Sequence, residues 1–477
     1  MRARHFGATA IEEDGKGVLK LVWLLGIGRY VTWFVPPLVL ATVALADDLN
    51  GQVGQAGWFD GCCVQPEFLG LGIGLGVSRY QPPSLSLPSL GPDHVFRSDA
   101  VRTRFEFSQS AAWTGSQRET APLAWQLSIS QSRSTATTSG ETALASDDPV
   151  FLSYGTPPAG HLELQTSADA TGVTAGALVM VTDSAGGTAS IVSTAFSPPG
   201  GAVTQSAIST TINGGALVSL LTDGDSSTAT AHGAIYDDGG IAFVGFGDMG
   251  NTTFRTSSSD ETSRHRMEVA AAWQIPSASI WTVTAKAGPV LSAAKRRVHR
   301  TETIAIAPTV PLGTPVEIGI SARDTLTTRS YGATGGLTVS RPLDDDWYIT
   351  LGASLSLERF HARHRGRASI EGVHTGHIGE AETRSHRTGL TRHARLEAQL
   401  SRAIGQGGVI SLSVFGVRGA GLPTLSVSPA QPSGPQPITL GGTTTLTSTG
   451  STAYHRTEVT TDTSWEVGVG VALIYRF

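Results

Sequence analysis

The strongest constraint on the fold lies in the last thirteen residues, where side-chain character alternates strictly. From Trp465 to Phe477 the odd positions are large and apolar, whereas the even positions, apart from Ile474, are small or charged. Because successive side chains of a strand point to opposite faces, this segment predicts a strand with one apolar face. Such a strand can cross a bilayer with its apolar face in lipid and its other face toward a lumen.

The same alternation recurs upstream in nine further segments. They are Leu69–Val77, Phe105–Trp113, Leu123–Ile129, Met267–Ile275, Trp281–Leu291, Tyr331–Val339, Trp347–Leu357, Leu390–Leu400 and Ile410–Val414. Short and long connections alternate between them, and Gln81–Ala100 is the first connection that we expect to be a long surface loop. The pattern predicts an all-β fold, a transmembrane antiparallel up-and-down β-barrel of about 10 strands with a large β-rich extracellular loop. Alternatives of 12–16 strands stay open.

The N-terminal end of the chain reads as an export signal. Residues 1–46 combine basic residues, an apolar run from Tyr30 to Leu45 and the small residues Ala44 and Ala46 before an acidic pair. Pro36 and the short apolar run argue against a permanent anchor helix. We therefore expect a signal peptide over 1–46, a periplasmic lead-in over 47–66 and the barrel over 67–477. The adjacent Cys62 and Cys63 fit neither a disulfide framework nor a zinc site.

The C-terminal strand also resembles a known signal. Its outward residues end the chain on an aromatic side chain, in the series Val469, Val471, Leu473, Tyr475 and Phe477. This resembles the C-terminal assembly signal of bacterial outer-membrane β-barrel proteins. The resemblance implies the Gram-negative outer membrane as location and the outer-membrane assembly machinery as a partner.

The segment Thr135–Thr262 is the least regular part of the chain. It has thirteen acids against one base, Arg255, and no tryptophan, and turn signals at Gly186–Gly187 and Asp237–Gly240 separate strand-like runs. It is predicted to be an extracellular insertion in the third surface loop, because its runs lack aromatic residues typical of membrane interfaces. The alternative is six more wall strands and a wider, porin-like channel.

In the predicted strands, the positions that face inward carry charged residues of both signs. In a narrow lumen these charges must pair with one another. This predicted lumen charge network comprises Glu106, Arg266, Glu268, Lys286, Glu358, Arg395, Glu397 and Glu466. Outward parity places tryptophans beside the short turns, which predicts a periplasmic aromatic girdle. Its members are Trp113, Trp125, Trp273, Trp281 and Trp347.

Outward parity also places arginines at the opposite strand ends. They are Arg79, Arg133, Arg297, Arg329, Arg359, Arg363 and Arg392. Guanidinium groups pair well with phosphate, so we expect this collar to contact outer-membrane lipids and lipopolysaccharide. Arginines that simply extend toward the interface without a specific lipid are the alternative.

Specific chemistry is poorly supported by the sequence. The histidines of the fourth long connection include two His-x2-His pairs, but positions i and i+3 fall on opposite faces of a strand and the flanking arginines would repel a cation, so no metal site or other cofactor is predicted. They are His361, His364, His374, His377, His386 and His393. The layout is weakly similar to the omptin surface proteases, but Asp93–His94 is the only adjacent Asp-His pair and it has no evident partner carboxylate. The net charge of −5 argues against nucleic acid as a ligand.

Three functions remain, in order of preference. The first is a non-enzymatic surface barrel whose third loop binds an extracellular partner, in adhesion or envelope structure. The second is a passive channel for ions or small solutes, which requires the middle region to join the wall. The third is a surface hydrolase.

Overall fold

The described part of the chain is built from β-strands. The computed structural model describes residues 69–89, 95–114, 123–144, 150–155, 158–224, 228–247, 252–276, 280–306, 316–344, 346–372, 376–405, 407–427, 438–440, 443–449 and 457–476. The predicted signal peptide and lead-in, the cysteines Cys62 and Cys63, the pair Asp93–His94 and the terminal Phe477 lie outside these ranges. Within them, no helix is long and apolar enough to cross a membrane.

The strands are numbered in chain order. They are β1 (Leu69–Gln81), β2 (Leu85–Pro88), β3 (Val95–Ser98), β4 (Arg102–Thr114), β5 (Leu123–Leu144), β6 (Val150–Gly155), β7 (Ala159–Asp169), β8 (Gly172–Thr182), β9 (Thr188–Ser197), β10 (Ala202–Thr210), β11 (Gly214–Asp223), β12 (Thr228–Asp237), β13 (Gly240–Gly247), β14 (Thr252–Ile275), β15 (Thr282–Ile306), β16 (Val316–Pro342), β17 (Trp347–Gly372), β18 (Gly376–Ile404), β19 (Gly408–Val427), β20 (Ile438–Leu440), β21 (Thr443–Thr449) and β22 (Thr457–Arg476).

Ten of these strands close into an antiparallel barrel in the order β1-β22-β19-β18-β17-β16-β15-β14-β5-β4. The ring closes between the first and last strands, where Leu71 faces Tyr475 and Val77 faces Val469. Closure gives each strand a partner on both sides, which a sheet in hydrocarbon requires because unpaired backbone groups there are costly. The prediction of an antiparallel barrel of about ten strands is confirmed, and each predicted segment lies in a different strand of the ring.

The two faces of each strand differ as the alternation predicts. On β17 the outward Leu351 and Leu357 are 46% and 50% exposed, while the inward Glu358 is fully buried. Outward apolar residues on this strand run from Trp347 to Leu357. At about 3.3 Å per residue and a tilt of about 40°, that stretch spans about 25 Å, the height of a hydrocarbon belt.

At one end of the barrel, the wall continues well beyond this belt, but only along part of its circumference. Strands β5 and β14–β18 extend past it, whereas the ladder between β4 and β5 ends at the pair Arg104–Ser134. The ladder between β18 and β19 likewise ends at Arg392–Ala420, where the register of β19 shifts. Gly421 makes this divergence possible, because its φ is +70° and a side chain there would collide with the Leu390 carbonyl oxygen. The outer part of the wall is thus a six-stranded half-cylinder.

Two connections between wall strands, far apart in the sequence, together form a β-sandwich. One sheet has the order β10-β11-β12-β13-β6 and the other the order β20-β21-β7-β8-β9. Leu162, Val179, Val218 and Ile235 belong to the buried apolar layer that the two sheets share. Strands β6–β13 come from the predicted insertion and β20–β21 from the last long connection, and the two parts join where β21 pairs with β7.

The insertion is shorter than the predicted Thr135–Thr262. Residues 135–144 and 252–262 remain in the wall, because the ladder between β5 and β14 continues to the pair Leu144–Thr252. The strands between them form the sandwich and not additional wall, so the closed ring has no sixteen-strand arrangement.

The sandwich packs against the hollow of the half-cylinder. Leu217, Tyr236 and Phe243 of one sheet share a buried apolar cluster with Phe254 and Ile370 of the wall. A backbone hydrogen bond of 3.1 Å from Glu382 N to Asp238 O joins the same two parts. The sandwich is therefore a cap over this end of the barrel.

The expectation that Gln81–Ala100 is a surface loop is wrong. Its strands β2 and β3 form a hairpin whose Leu85 and Leu87 are 1% and 0% exposed and pack in one cluster with Phe360 of the wall and Leu425 of β19. An apolar pair of this kind gains more by filling a lumen than by facing water. We call the described residues 82–89 and 95–98 the plug hairpin.

The apolar belt makes a testable difference between two exposed residues. Replacing Leu351 by Arg places a charge near the middle of the belt and should destabilise the barrel by about 2–4 kcal/mol in lipid vesicles. Replacing Val192 by Arg on the sandwich, where the side chain is 80% exposed, should change stability by less than about 0.5 kcal/mol. Urea titration, followed by the heat-modifiable gel band of the folded barrel, measures both changes in stability. Equal effects would contradict a lipid-facing belt.

Candidate functional site

The centre of the lumen is organised around one carboxylate. Glu358 accepts hydrogen bonds from Arg266 Nη1 at 2.7 Å, Ser330 Oγ at 2.6 Å and Ser292 Oγ at 2.9 Å. His393 Nε2 lies 3.9 Å from the same carboxylate, and Arg264 Nη2 lies 3.3 Å from that ring nitrogen. Since Glu358 is fully buried, these partners offset the cost of removing its charge from water.

Most of the predicted lumen charges lie in ion pairs with one another. Glu268 lies 3.5 Å from Arg266 and 3.4 Å from Lys286, and Arg395 lies 3.1 Å from Glu397. The predicted Glu466 pairs at 2.7 Å with Arg104, which was not predicted as a lumen residue and whose guanidinium lies 3.3 Å over the Tyr80 ring. Glu106 is the remaining member, on the lumen face of β4.

A second group of ion pairs was not predicted. Asp260 is 2% exposed and binds Arg296 at 2.6 Å and Arg102 at 3.2 Å. Arg296 also donates to the carbonyl oxygens of Pro83, at 2.7 Å, and Ser98, at 3.1 Å, and so fixes the plug hairpin. These residues escaped prediction because the alternation of the sequence placed them in loops or at strand ends.

A third group lies farther toward the cap. Arg300 is 2% exposed, binds Glu302 at 3.0 Å and donates to the Pro88 carbonyl oxygen at 2.7 Å. Asp324 lies 3.8 Å from Arg300 and accepts from His364 Nε2 at 2.9 Å, while Ser385 Oγ lies 3.3 Å from His364 Nδ1. A serine, a histidine and an aspartate from three adjacent strands are thereby in line. Their shared inward parity is the sequence signal that could have found them.

A cavity of about 90 Å³ lies in the lumen between the first and second groups. The plug hairpin closes one side with Pro82 and Pro83. Glu466 is the one lining carboxylate among the described residues, and the other charged or titratable residues that line the cavity are Tyr80, Arg104, Arg264, Lys295, Arg296 and His393. The cavity has room for several water molecules.

The outward-facing predicted residues lie on the barrel surface. Trp125 and Trp273 are each 39% exposed beside short turns, and guanidinium groups lie over the rings of Trp281, at 5.8 Å, and Trp347, at 5.4 Å. The side chain of Trp113 is outside the described part. All seven collar arginines, Arg79, Arg133, Arg297, Arg329, Arg359, Arg363 and Arg392, lie on the outward face, and contact of this collar with lipopolysaccharide stays a prediction.

The histidines separate onto different faces. His364 and His393 are buried in the lumen, whereas His386 is exposed. His374 and the His377 side chain lie outside the described residues, and the residues that the structure describes show no group of three potential metal ligands. Of the predicted assembly signal, Val469, Val471, Leu473 and Tyr475 point outward from β22.

Titratable groups also mark the joint between cap and wall. His232 is 1% exposed and stacks on Phe243 at 5.8 Å, and its burial lowers its pKa to about 4. Burial raises the pKa of Asp237. Hydrogen bonds from Arg365 and Arg384 lower the pKa of Glu382, whose backbone amide binds the cap. The joint therefore holds a neutral histidine and an ionised carboxylate at neutral pH.

Ten antiparallel strands, an apolar outer belt and paired charges inside define a transmembrane β-barrel of the outer-membrane type. No protein-family model and no curated protein matches the sequence.

Similar solved structures are also outer-membrane barrels. They include the translocator domain of the autotransporter NalP from Neisseria meningitidis (8% identity, TM-score 0.20, covering 96% of this chain and 98% of that chain), a FadL homologue from Pseudomonas aeruginosa (8%, 0.21, 86% and 90%) and the toluene transporter TodX from P. putida (8%, 0.17, 87% and 91%). With identities and TM-scores this low, the barrel is defined by its own ladders of paired strands and not by these similarities.

The central carboxylate predicts a large stability effect. Replacing Glu358 by Gln removes the buried counter-charge of Arg266 and should lower the free energy of unfolding by about 3 kcal/mol or more. Replacing Glu397 by Gln is the matched control, because its side chain is 31% exposed, and should cost less than about 1 kcal/mol. Urea unfolding in one detergent compares them. Similar losses for both variants would show that Glu358 is not the centre of the network.

Proposed function

We propose that the protein is an exported, non-enzymatic outer-membrane barrel that holds a β-sandwich at the cell surface for binding an extracellular partner. The signal peptide, the outer-membrane location and the outward orientation of the cap belong to this proposal. Its main support is the cap itself, which is tied to the barrel through two connections and seated on the half-cylinder wall.

The outer face of the cap supports a binding role. Leu178 and Val192 are register partners there, 37% and 80% exposed, with Met180 and Phe196 on the same face at 51% and 47%. Apolar side chains gathered on one water-exposed face favour a protein partner. The acid-rich composition of the segment predicts that this partner is not acidic.

The filled lumen supports a role other than conduction. The plug hairpin is held by Arg296 and Arg300 and by a hydrogen bond of 2.8 Å from Ser84 N to Asp462. Below it, the ion pairs around Glu358 occupy the centre. Within the same proposal, the arginine collar contacts lipopolysaccharide and the strand ending at Tyr475 engages the assembly machinery.

Two matched turns test the orientation of the cap. Gly186 lies in the β8–β9 turn and Gly405 in the β18–β19 turn, both with positive φ and with no atom within 4 Å of an added Cβ. An epitope inserted at Gly186 should be stained on intact cells, and one inserted at Gly405 only after permeabilisation, because the turns lie at opposite ends of the barrel. Staining of Gly405 alone on intact cells would overturn surface display.

Electrical recording in planar bilayers separates this proposal from a passive channel. A barrel closed by the plug hairpin should give no steady conductance steps. Steps in the unmodified protein would favour the channel and contradict the closed lumen.

The alignment of Ser385, His364 and Asp324 favours a second candidate, a hydrolase. Ser385 Oγ would bond to the carbonyl carbon of an ester while its proton passes to His364 Nδ1, and His364 would return the proton to the leaving alkoxide. Water would then hydrolyse the acyl-enzyme. This candidate ranks second because His364 has no exposed surface and Asp324 also lies beside Arg300.

A soluble p-nitrophenyl ester tests the hydrolase. If the alignment is catalytic, Ser385→Ala should abolish ester hydrolysis by the detergent-solubilised protein. Ser369→Ala should leave it unchanged, since Ser369 is similarly half-buried on the outward face of β17. Absence of hydrolysis in the unmodified protein, or equal rates in both variants, would reject this candidate.

A further inference from the structure

The charges inside the barrel are unevenly distributed along its axis. The ion pairs of the lumen fall into three groups. Toward the short turns, Arg395 lies with Glu397 and Glu106, and toward the cap, Arg300 lies with Glu302 and Asp324. Each of these end groups has one cation and two carboxylates.

The middle group has the opposite imbalance. Its six cations are Arg102, Arg104, Arg264, Arg266, Lys286 and Arg296, and its five carboxylates are Asp260, Glu268, Glu358, Glu466 and Asp462, the last beside the plug hairpin. Around the cavity of about 90 Å³ the imbalance is larger, because Arg104, Arg264, Lys295 and Arg296 line it and Glu466 is the one lining carboxylate among the described residues. In a medium of low dielectric constant, such an excess attracts an anion strongly.

Arg264 is the group whose charge is least compensated. Within the described strands, no carboxylate oxygen lies within 4 Å of its guanidinium, and its hydrogen-bond partner is His393 Nε2 at 3.3 Å. Arg266 and three serine hydroxyls already engage the nearby Glu358. Arg264 lines the cavity, and part of its surface is open to the space inside it.

The cavity also offers neutral donors. Thr328 and Ser464 line it together with Arg104 and Arg264. Guanidinium and hydroxyl groups are suited to the oxygens of a carboxylate or phosphate, which accept several hydrogen bonds at once. A chloride ion would use the charge but not the spread of donors.

We infer that the lumen cavity is a binding site for one small oxyanion of the carboxylate or phosphate class, held by Arg264 and Arg104 beneath the plug hairpin. The anion supplies the missing negative charge of the middle group. This site does not depend on the cap having a partner, so the proposed function and the anion site stand or fall separately.

Inorganic phosphate and acetate are the probes, titrated into the full detergent-solubilised protein at constant ionic strength with chloride as the replaced salt. Isothermal titration calorimetry should show saturable binding of at least one of the two with a stoichiometry near one. Arg264→Gln should weaken that binding at least tenfold, and Arg264→Lys should restore part of it. Arg395→Gln is the matched control, because it removes a lumen arginine outside the cavity, and should change affinity less than twofold.

The unfolding transition separates a binding role from a purely structural one. Without phosphate or acetate, Arg264→Gln should be no less resistant to urea than the unmodified protein, because it removes an uncompensated cation. Added oxyanion should raise the urea midpoint of the unmodified protein and not that of Arg264→Gln. Loss of stability of Arg264→Gln without oxyanion would assign Arg264 to the ion-pair network. Absence of saturable binding of both probes would overturn the inference.

Discussion

A strand that crosses hydrocarbon must give each backbone amide and carbonyl a partner, and the ring of ten strands follows from that requirement. The first and last strands meet at Leu71–Tyr475 and Val77–Val469, so the ring has no edge within the belt. Closure then fixes which face of every strand meets lipid. Leucine and valine can be half-exposed on the outer face because hydrocarbon surrounds them there, while Glu358 and its partners are enclosed inside.

Where the belt ends, the requirement changes, and so does the sequence pattern. On β17 the outward residues are apolar up to Leu357 and become arginine at Arg359 and Arg363, while the inward residues become apolar at Phe360 and Ala362. Water now lies outside the wall, and the plug hairpin and cap lie inside it. The wall can also open here, because backbone groups at an edge can bind water, and the outer parts of β5 and β18 are the edges of the half-cylinder.

This inversion explains what could be predicted from the sequence. Segments such as Tyr331–Val339 identify the barrel strands because lipid demands apolar side chains at every second position. The extension of β16 back to Val316 could not be predicted in this way, since beyond the belt the outward Arg329 and Arg323 break that pattern. Inward parity gave no substitute signal on β15, because the buried positions between Val298 and Ile304 are Arg300 and Glu302. Pairing of β21 with β7 joins segments almost three hundred residues apart, and no local pattern could predict it.

The lumen site was partly predictable for a similar reason. Parity alone identified Arg266, Glu268 and Glu358, which lie within predicted strands. Parity could not identify the partners of the plug hairpin, since that segment was assigned to the surface. Asp260, Arg296 and Arg300 therefore became visible only with the fold.

The plug hairpin also accounts for the uneven distribution of charge. Arg296 directs donors to the neutral carbonyl oxygens of Pro83 and Ser98 as well as to Asp260, and Arg102 directs one to the Asp260 carbonyl oxygen. A guanidinium that donates to a neutral carbonyl oxygen makes a hydrogen bond, but that bond supplies no negative charge to compensate the guanidinium. Anchoring the hairpin with arginines thus concentrates positive charge directly beneath Pro82 and Pro83, where the cavity lies. Anchoring of the plug hairpin by arginines therefore adds positive charge beside the proposed anion site.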